Sequence, residues 1–131
     1  MEGVDTSVLV RIATRDDPRQ LRRAERLIRE RFSRESPAWV SCLVITDLAR
    51  VLGARYRYSR SEIASFIDRL GQTDGFLLEE VGTVMEAVQF YRSSKADFGD
   101  CLILARNLAR KVEVTHTFDR TAAKLDGFQL V

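Results

Sequence analysis

Five aspartates lie beside apolar sequence at four places along the 131-residue chain: Asp5, Asp47, Asp97 with Asp100, and Asp119. A carboxylate near an apolar core is costly to desolvate, so several of them there need arginines or a divalent cation for neutralisation. Hard cations such as Mg²⁺ and Mn²⁺ prefer carboxylate and water oxygens as ligands. The placement of the aspartates therefore predicts a divalent-cation site.

Each of these acids also has a structural interpretation. Asp97 and Asp100 are one helical turn apart, which brings both carboxylates toward one face of a helix N-terminus. Asp97 is a common type of N-cap residue, and we favour that role for it. Asp100 directly precedes the apolar run 101–105, and we favour it as a ligand. Asp5 is equally a turn or cap residue and Asp119 an N-cap, so the metal site depends on their combined placement.

Arginine dominates the basic residues, with 18 Arg and 3 Lys against 19 acids, and the formal net charge is +2. Nine of the arginines fall between Arg11 and Arg34, where there are only four acids. The planar guanidinium suits phosphate or carboxylate better than an ammonium does. This segment is consistent with a phosphate-binding surface and also with a solvated helix face stabilised by i,i+4 ion pairs.

The periodicity of apolar residues predicts a single α/β domain over residues 1–131. Helices are predicted over 18–32, 44–52, 59–70, 83–91 and 97–105, with a short one over 121–125. Strands are predicted over 38–41, 76–80, 112–118 and 128–131. Because strands alternate with helices, the sheet should be largely parallel, with its ligand site beyond the carboxyl ends of the strands.

Cysteine usage and the first residues indicate the compartment. Cys42 and Cys101 form neither a disulfide framework nor a zinc pattern. The first ten residues contain no basic leader and no long apolar run. We expect a cytoplasmic protein without a membrane span.

Four ordered segments resemble the PIN-domain ribonucleases, and among them the VapC-type toxins of toxin–antitoxin pairs. Segment 4–10, VDTSVLV, is similar to the family's LDTNVLV start, and 40–52 to its strand leading into a helix with a buried acid. Segment 96–103, ADFGDCLI, looks like the family's ADFADALI, and 117–120 like its TFDR element. The resemblance implies a three-layer α/β/α fold with a central, mainly parallel sheet. It also implies a helix from near Thr6, although β-branched residues over 8–12 favour a strand.

The resemblance also implies the site residues. Asp5, Asp47, Asp100 and Asp119 would be the catalytic acids that hold Mg²⁺ or Mn²⁺, with Asp97 as a further member. Thr6, Ser7 and Thr117 would be polar supports beside the metal, Ser7 standing where the family usually has Asn. The family usually has Glu at the position of Asp47, so this shorter carboxylate is expected to reach the metal through a water.

The activity that the resemblance implies is metal-dependent hydrolysis of RNA phosphodiester bonds by an endoribonuclease toxin. The substrate would be of the tRNA or rRNA class, a cognate antitoxin would neutralise the toxin, and the protein would be a homodimer. The candidate RNA-binding residues, chosen because they are close to the acids in sequence, are Arg11, Arg15, Arg50 and Arg120.

Two other functions are consistent with the residues. A PIN-fold module that binds RNA or a partner protein, with weak or no cleavage, is favoured by the Asp47 substitution. A magnesium-dependent phosphatase would also use an aspartate after the first strand. That class needs a second aspartate two residues later, where this chain has Ser7.

Overall fold

Short parallel strands alternate with longer helices in the computed structural model, which describes residues 1–131. Its contacts divide the chain into unit one, Met1–Glu79, and unit two, Glu80–Val131. The alternation confirms the predicted α/β class with parallel strand pairing. No helix is long and apolar enough to cross a membrane.

Unit one contains four helices and two strands. In chain order these are α1 (Thr6–Thr14), α2 (Pro18–Arg31), β1 (Ala38–Val40), α3 (Cys42–Ala54), α4 (Arg60–Gln72) and β2 (Phe76–Leu78). Strands β1 and β2 pair in parallel, and Gly3 adds a single parallel bridge to Trp39. Helix α1 packs against α2 and α3, and α3 packs against α4. The fully buried side chains of this core include Leu9, Ile45, Leu48, Leu52 and Ile67.

Two predicted helix starts in unit one, each indicated by a capping residue close to it in sequence, are confirmed. Asp17 accepts a hydrogen bond from the Gln20 N–H at 3.0 Å, with Pro18 in the first turn of α2. Ser59 and Glu62 form the reciprocal capping box of α4, with bonds of 3.1 and 3.0 Å. Each such cap stabilises its helix by about 1 kcal/mol.

The β-branched residues of segment 8–12 lie in helix α1, as the family resemblance implies and local propensity does not. Burial explains the difference, because Leu9 and Val10 are inside the core where α1 packs on α3. Tertiary packing of this kind overrides a propensity difference of a few tenths of a kcal/mol per residue. The side chain of Tyr58 also fixes α1, since its hydroxyl donates to the Ala13 carbonyl at 2.9 Å.

Unit two contains two helices, a single 3₁₀ turn and two strands. They are α5 (Val81–Ser93), α6 (Phe98–Ala109), β3 (Thr115–Thr117), the turn Ala122–Lys124 and β4 (Phe128–Leu130). Strands β3 and β4 pair in parallel, and α5 packs on α6. Tyr91 and Phe98 meet edge to face with their ring centroids 5.6 Å apart.

Three sequence predictions for unit two differ from the structure. Helix α5 begins at Val81 rather than at a Thr83–Glu86 capping box, because Glu80 adopts a left-handed conformation (φ 48°) that reverses the chain there. The strand predicted over 112–118 is limited to β3, the three residues that have β4 opposite them. The run after Asp100 is not buried all round, since Ile103 is 48% exposed.

Gly127 provides a stability test of the packing between β4 and α6. It has φ +106°, and a Cβ atom there would lie 2.7 Å from Cδ1 of the buried Leu104. We expect Gly127→Ala to lower the free energy of unfolding by about 2–3 kcal/mol, from backbone strain and overpacking. Urea denaturation measures this change. Gly82→Ala is the control, because nothing lies within 4 Å of its Cβ position; an equal loss in both variants would contradict the packing argument.

Asp16 provides a test of the contacts around α1. It accepts hydrogen bonds from Thr14 and Arg11, which lower the pKa of the carboxyl from 3.8 to about 2. Because the folded pKa is the lower one, the stabilisation is present above pH 4 and is lost as the pH falls toward 2. We expect Asp16→Asn to reduce the loss of stability over this range, as followed by urea denaturation at several pH values. The exposed Glu35→Gln is the control, and an unchanged acid dependence in Asp16→Asn would refute the assignment.

Candidate functional site

Asp5 of unit one lies at the start of α1, after the bridge that Gly3 makes to Trp39. Its backbone has N-cap geometry (φ −87°, ψ 163°), but its side chain makes no capping hydrogen bond. The carboxylate instead accepts a bond from the Ser7 hydroxyl at 3.3 Å. Asp5 thus occupies the N-cap position of α1, and its carboxylate oxygens accept no hydrogen bond from the helix N–H groups.

Asp47 lies on α3, the helix against which α1 packs. Hydrogen bonds from Arg50 and Thr6 lower the pKa of Asp47 and keep it ionised. Thr6 is the only polar residue that the fold buries, with 8% of its surface exposed. The start of α1 therefore brings the residue next to Asp5 into contact with Asp47, as expected of a polar support.

The Asp47–Arg50 ion pair lies at the surface, and the Arg50 side chain is 69% exposed. Exposed pairs of this kind contribute at most about 1 kcal/mol, because water screens the charges and both side chains lose rotamer freedom. Arg50 therefore neutralises Asp47 in this structure, and breaking this ion pair costs little free energy.

Unit two brings three of the predicted acids close enough to interact. Burial and the neighbouring carboxylates of Asp97 and Asp119 raise the pKa of Asp100. Asp100 lies in the first turn of α6 and is half-buried. Asp97 has N-cap geometry at the start of this helix (φ −60°, ψ 148°), and its side chain makes no capping bond. The N-cap role favoured for Asp97 is thus confirmed for its backbone, whereas its carboxylate does not cap.

Asp119 is engaged in the local structure. Its Oδ1 accepts hydrogen bonds from the N–H groups of Thr121 at 2.8 Å and Ala122 at 2.9 Å, which holds the 3₁₀ turn. Its own N–H donates to the Thr117 hydroxyl at 3.0 Å. Asp119 therefore has the structural role considered for it, and these bonds use only one of its carboxylate oxygens.

Three of the four predicted RNA-binding arginines form ion pairs in the structure. Arg11 binds Asp16 and also donates to the Tyr56 hydroxyl at 3.3 Å, Arg15 lies 3.4 Å from Glu25, and Arg50 binds Asp47. Arg120 is exposed directly after Asp119. Of this set, Arg120 is the residue whose position most favours contact with an anionic ligand.

The donor chemistry of the acids fits a hard divalent cation. All the predicted ligands offer carboxylate oxygens, and burial together with the neighbouring carboxylates raises the pKa of Asp100, a cost that a bound cation would relieve. No group of three or more His, Cys, Asp or Glu side chains is arranged at metal-binding distance. The acids therefore fit a divalent cation by the type of their ligand atoms and by their electrostatics.

Two acids with a structural role were not predicted from the sequence. Glu79 accepts a hydrogen bond from the Cys42 N–H at 2.7 Å and so satisfies the start of α3. Glu80 binds Arg106 at 2.9 Å and Arg110 at 3.2 Å on α6. The sequence signal for these roles was the position of Glu79 and Glu80 at the end of a predicted strand. Both cysteines are buried and neither forms a disulfide, as their spacing predicts.

Comparison with known proteins identifies the family. The PIN domain family model matches residues 4–127, and it spans all four segments in which the resemblance was found. No curated protein and no solved structure gives a significant match. PIN domains have a three-layer α/β/α fold, with which the six α-helices and parallel strands agree, and they are generally metal-dependent nucleases. The chain therefore belongs to the PIN-domain family.

Proposed function

We propose that this chain is a divalent-metal-dependent endoribonuclease that cleaves RNA and acts as a VapC-type toxin. The observation that carries the proposal is the half-buried carboxylate of Asp100 beside those of Asp97 and Asp119. Burial increases the cost of ionising Asp100, and the like charges of its neighbours add to that cost. Such an arrangement is favourable when a cation is bound, and the family supplies the nuclease-type fold in which it occurs.

The residue roles follow the acids of each unit. In unit two, Asp100 and Asp119 would hold Mg²⁺ or Mn²⁺, with Asp97 as a further ligand. In unit one, the resemblance to PIN-domain ribonucleases gives Asp5 the role of a metal ligand and Asp47 a role through a water. When bound, the metal supplies an activated water and stabilises the charge that develops on the scissile phosphate.

The remaining polar residues would hold the acids in position. The Thr6 hydroxyl bonds to Asp47, and the Thr117 hydroxyl accepts the Asp119 N–H. Ser7 donates to Asp5 and orients its carboxylate. Arg120, exposed beside Asp119, would bind a phosphate oxygen of the substrate.

The toxin role is supported by the likeness of the four sequence segments to VapC-type toxins. We infer from it a substrate of the tRNA or rRNA class, a homodimer, a cytoplasmic site of action and a cognate antitoxin that neutralises the enzyme. Growth arrest on expression of the chain, released by co-expression of that antitoxin, would support this part of the proposal. Arrest that persists in an inactive variant would contradict it.

A PIN-fold module that binds RNA or a partner protein without cleaving RNA is the second candidate. The ion pair between Asp47 and Arg50 and the capping role of Asp119 favour it, because both acids already have partners. This candidate predicts RNA binding and no Mn²⁺-dependent cleavage by the unaltered chain.

Asp100→Asn is the direct test of the nuclease function. The change removes the charge of the most crowded carboxylate and keeps its size, so we expect Mn²⁺-dependent RNA cleavage to fall by about 100-fold or more. Cleavage of labelled RNA is measured with Mn²⁺ and with a chelator, and circular dichroism checks the fold. Asp126→Asn, at an exposed position in unit two, is the matched control. Equal cleavage by both variants, or cleavage unaffected by chelator, would refute the mechanism.

Thr6→Val tests whether Thr6 positions Asp47. Valine has nearly the shape of threonine and lacks the hydroxyl that bonds to Asp47, so we expect a loss of cleavage of about 10–100-fold. The Mn²⁺ concentration that gives half-maximal cleavage should rise, and Thr6→Ser should restore it. A loss of cleavage without a change in Mn²⁺ dependence, or no rescue by serine, would assign Thr6 to packing alone.

A further inference from the structure

The outer side of α2 carries a row of exposed arginines, which we call the α2 arginine face: Arg19, Arg22, Arg23, Arg26 and Arg29. Their spacings of three and four residues place them on one side of the helix, over a length of about 15 Å. Leu21 and Ala24 lie on the opposite side and are buried against the rest of unit one. The arginine face is therefore directed away from the core and is not needed for its packing.

The i,i+4 ion pairs that would make this row an ordinary solvated face are not formed. None of the five arginines has a carboxylate within 4.0 Å, and Glu25, which directly precedes Arg26, binds Arg15 instead. Unpaired like charges at helical spacing destabilise the helix slightly. An anion bound along the face would convert this repulsion into attraction.

Two surface clefts extend the basic surface toward the predicted acids of unit one. A cleft of about 480 Å³ is lined by the five arginines and Glu25. A second, of about 570 Å³, includes Ser7 of α1 in its lining and shares Arg23 and Arg26 with the first. The two clefts are thus neighbours along α2, and the second one reaches Ser7, the residue that hydrogen-bonds to Asp5.

We propose that the α2 arginine face binds the phosphates of RNA and leads the strand along the two clefts toward Asp5. The choice of RNA rests on the proposed nuclease function. The lining of the first cleft favours a nucleic-acid backbone over a protein partner, because every side chain in it is charged. Protein interfaces need an apolar centre that excludes water, whereas repeated guanidinium groups match repeated phosphates.

Binding of RNA in the absence of divalent metal tests the α2 arginine face independently of cleavage. The probe is a fluorescein-labelled single-stranded RNA of 20 nucleotides with EDTA, and its affinity is measured by anisotropy between 50 and 200 mM salt. The variant is Arg22→Gln, Arg26→Gln and Arg29→Gln together. The control carries Arg55→Gln, Arg57→Gln and Arg69→Gln, which removes the same charge from exposed positions elsewhere in unit one.

Each lost phosphate contact reduces the slope of log affinity against log salt by about 0.7 for single strands, so the slope should fall by about 2. The loss of affinity between 50 and 200 mM salt should then be about 20-fold smaller for the α2 variant than for the native protein. The control should keep the native slope. Equal slopes in all three proteins would overturn the proposal, as would competition by polyglutamate as strong as that by unlabelled RNA.

The two proposals fail in different ways in these experiments. RNA binding that depends on the α2 arginine face, without any Mn²⁺-dependent cleavage, would refute the nuclease function and support the surface. Cleavage that depends on Asp100, with RNA binding unchanged in the α2 variant, would refute the surface and support the nuclease.

Discussion

The first N–H groups of a helix have no acceptor within it, and the chain satisfies this requirement differently at different helices. The side chains of Asp17, Ser41 and Ser59 accept the N–H groups of α2, α3 and α4. Helices α1 and α6 begin at Asp5 and Asp97, whose backbones have N-cap geometry while their carboxylates make no capping bond. The helix dipole still stabilises their negative charge. Asp5 and Asp97 therefore lie at helix starts, and their carboxylate oxygens can bind partners other than the helix N–H groups.

The two units compensate the negative charge of their predicted site acids in different ways. In unit one, Asp47 is bound by Arg50 and Thr6, and its pKa is lowered. In unit two, Asp100 is half-buried beside two carboxylates and its pKa is raised, so the protein leaves part of this repulsion unrelieved. The gain from binding a cation is greatest where the protein has provided the least compensation. On this argument Asp100 is the acid that a bound cation would stabilise most, whereas Asp47 remains ionised through its own partners.

The sequence predicts those features that depend on neighbouring residues. The cap at Asp17 and the capping box at Ser59 are confirmed, whereas the similar pattern at Thr83 is not a helix start. Helix α5 starts earlier, after Glu80, whose backbone is left-handed and whose side chain binds Arg106 of α6 and Arg110 just after it, contacts remote in sequence. The acids were identifiable by type and setting. The sequence did not show which of their carboxylate oxygens accept hydrogen bonds within the fold. An Asp whose side chain caps a turn and an Asp whose side chain makes no cap have the same sequence signature.

Three of the four arginines predicted to bind RNA form ion pairs within the fold. An arginine near an aspartate is available to neutralise it, and Arg11, Arg15 and Arg50 each bind a carboxylate in the structure. A paired guanidinium adds little net charge to the field that an approaching polyanion experiences. Carboxylates repel a polyanion, so attraction for one must come from arginines without acidic partners. Five such arginines lie together on α2, and Arg120 lies beside Asp119. The guanidinium groups of the α2 arginine face keep their full charge, because none of them forms an ion pair with a carboxylate of the fold.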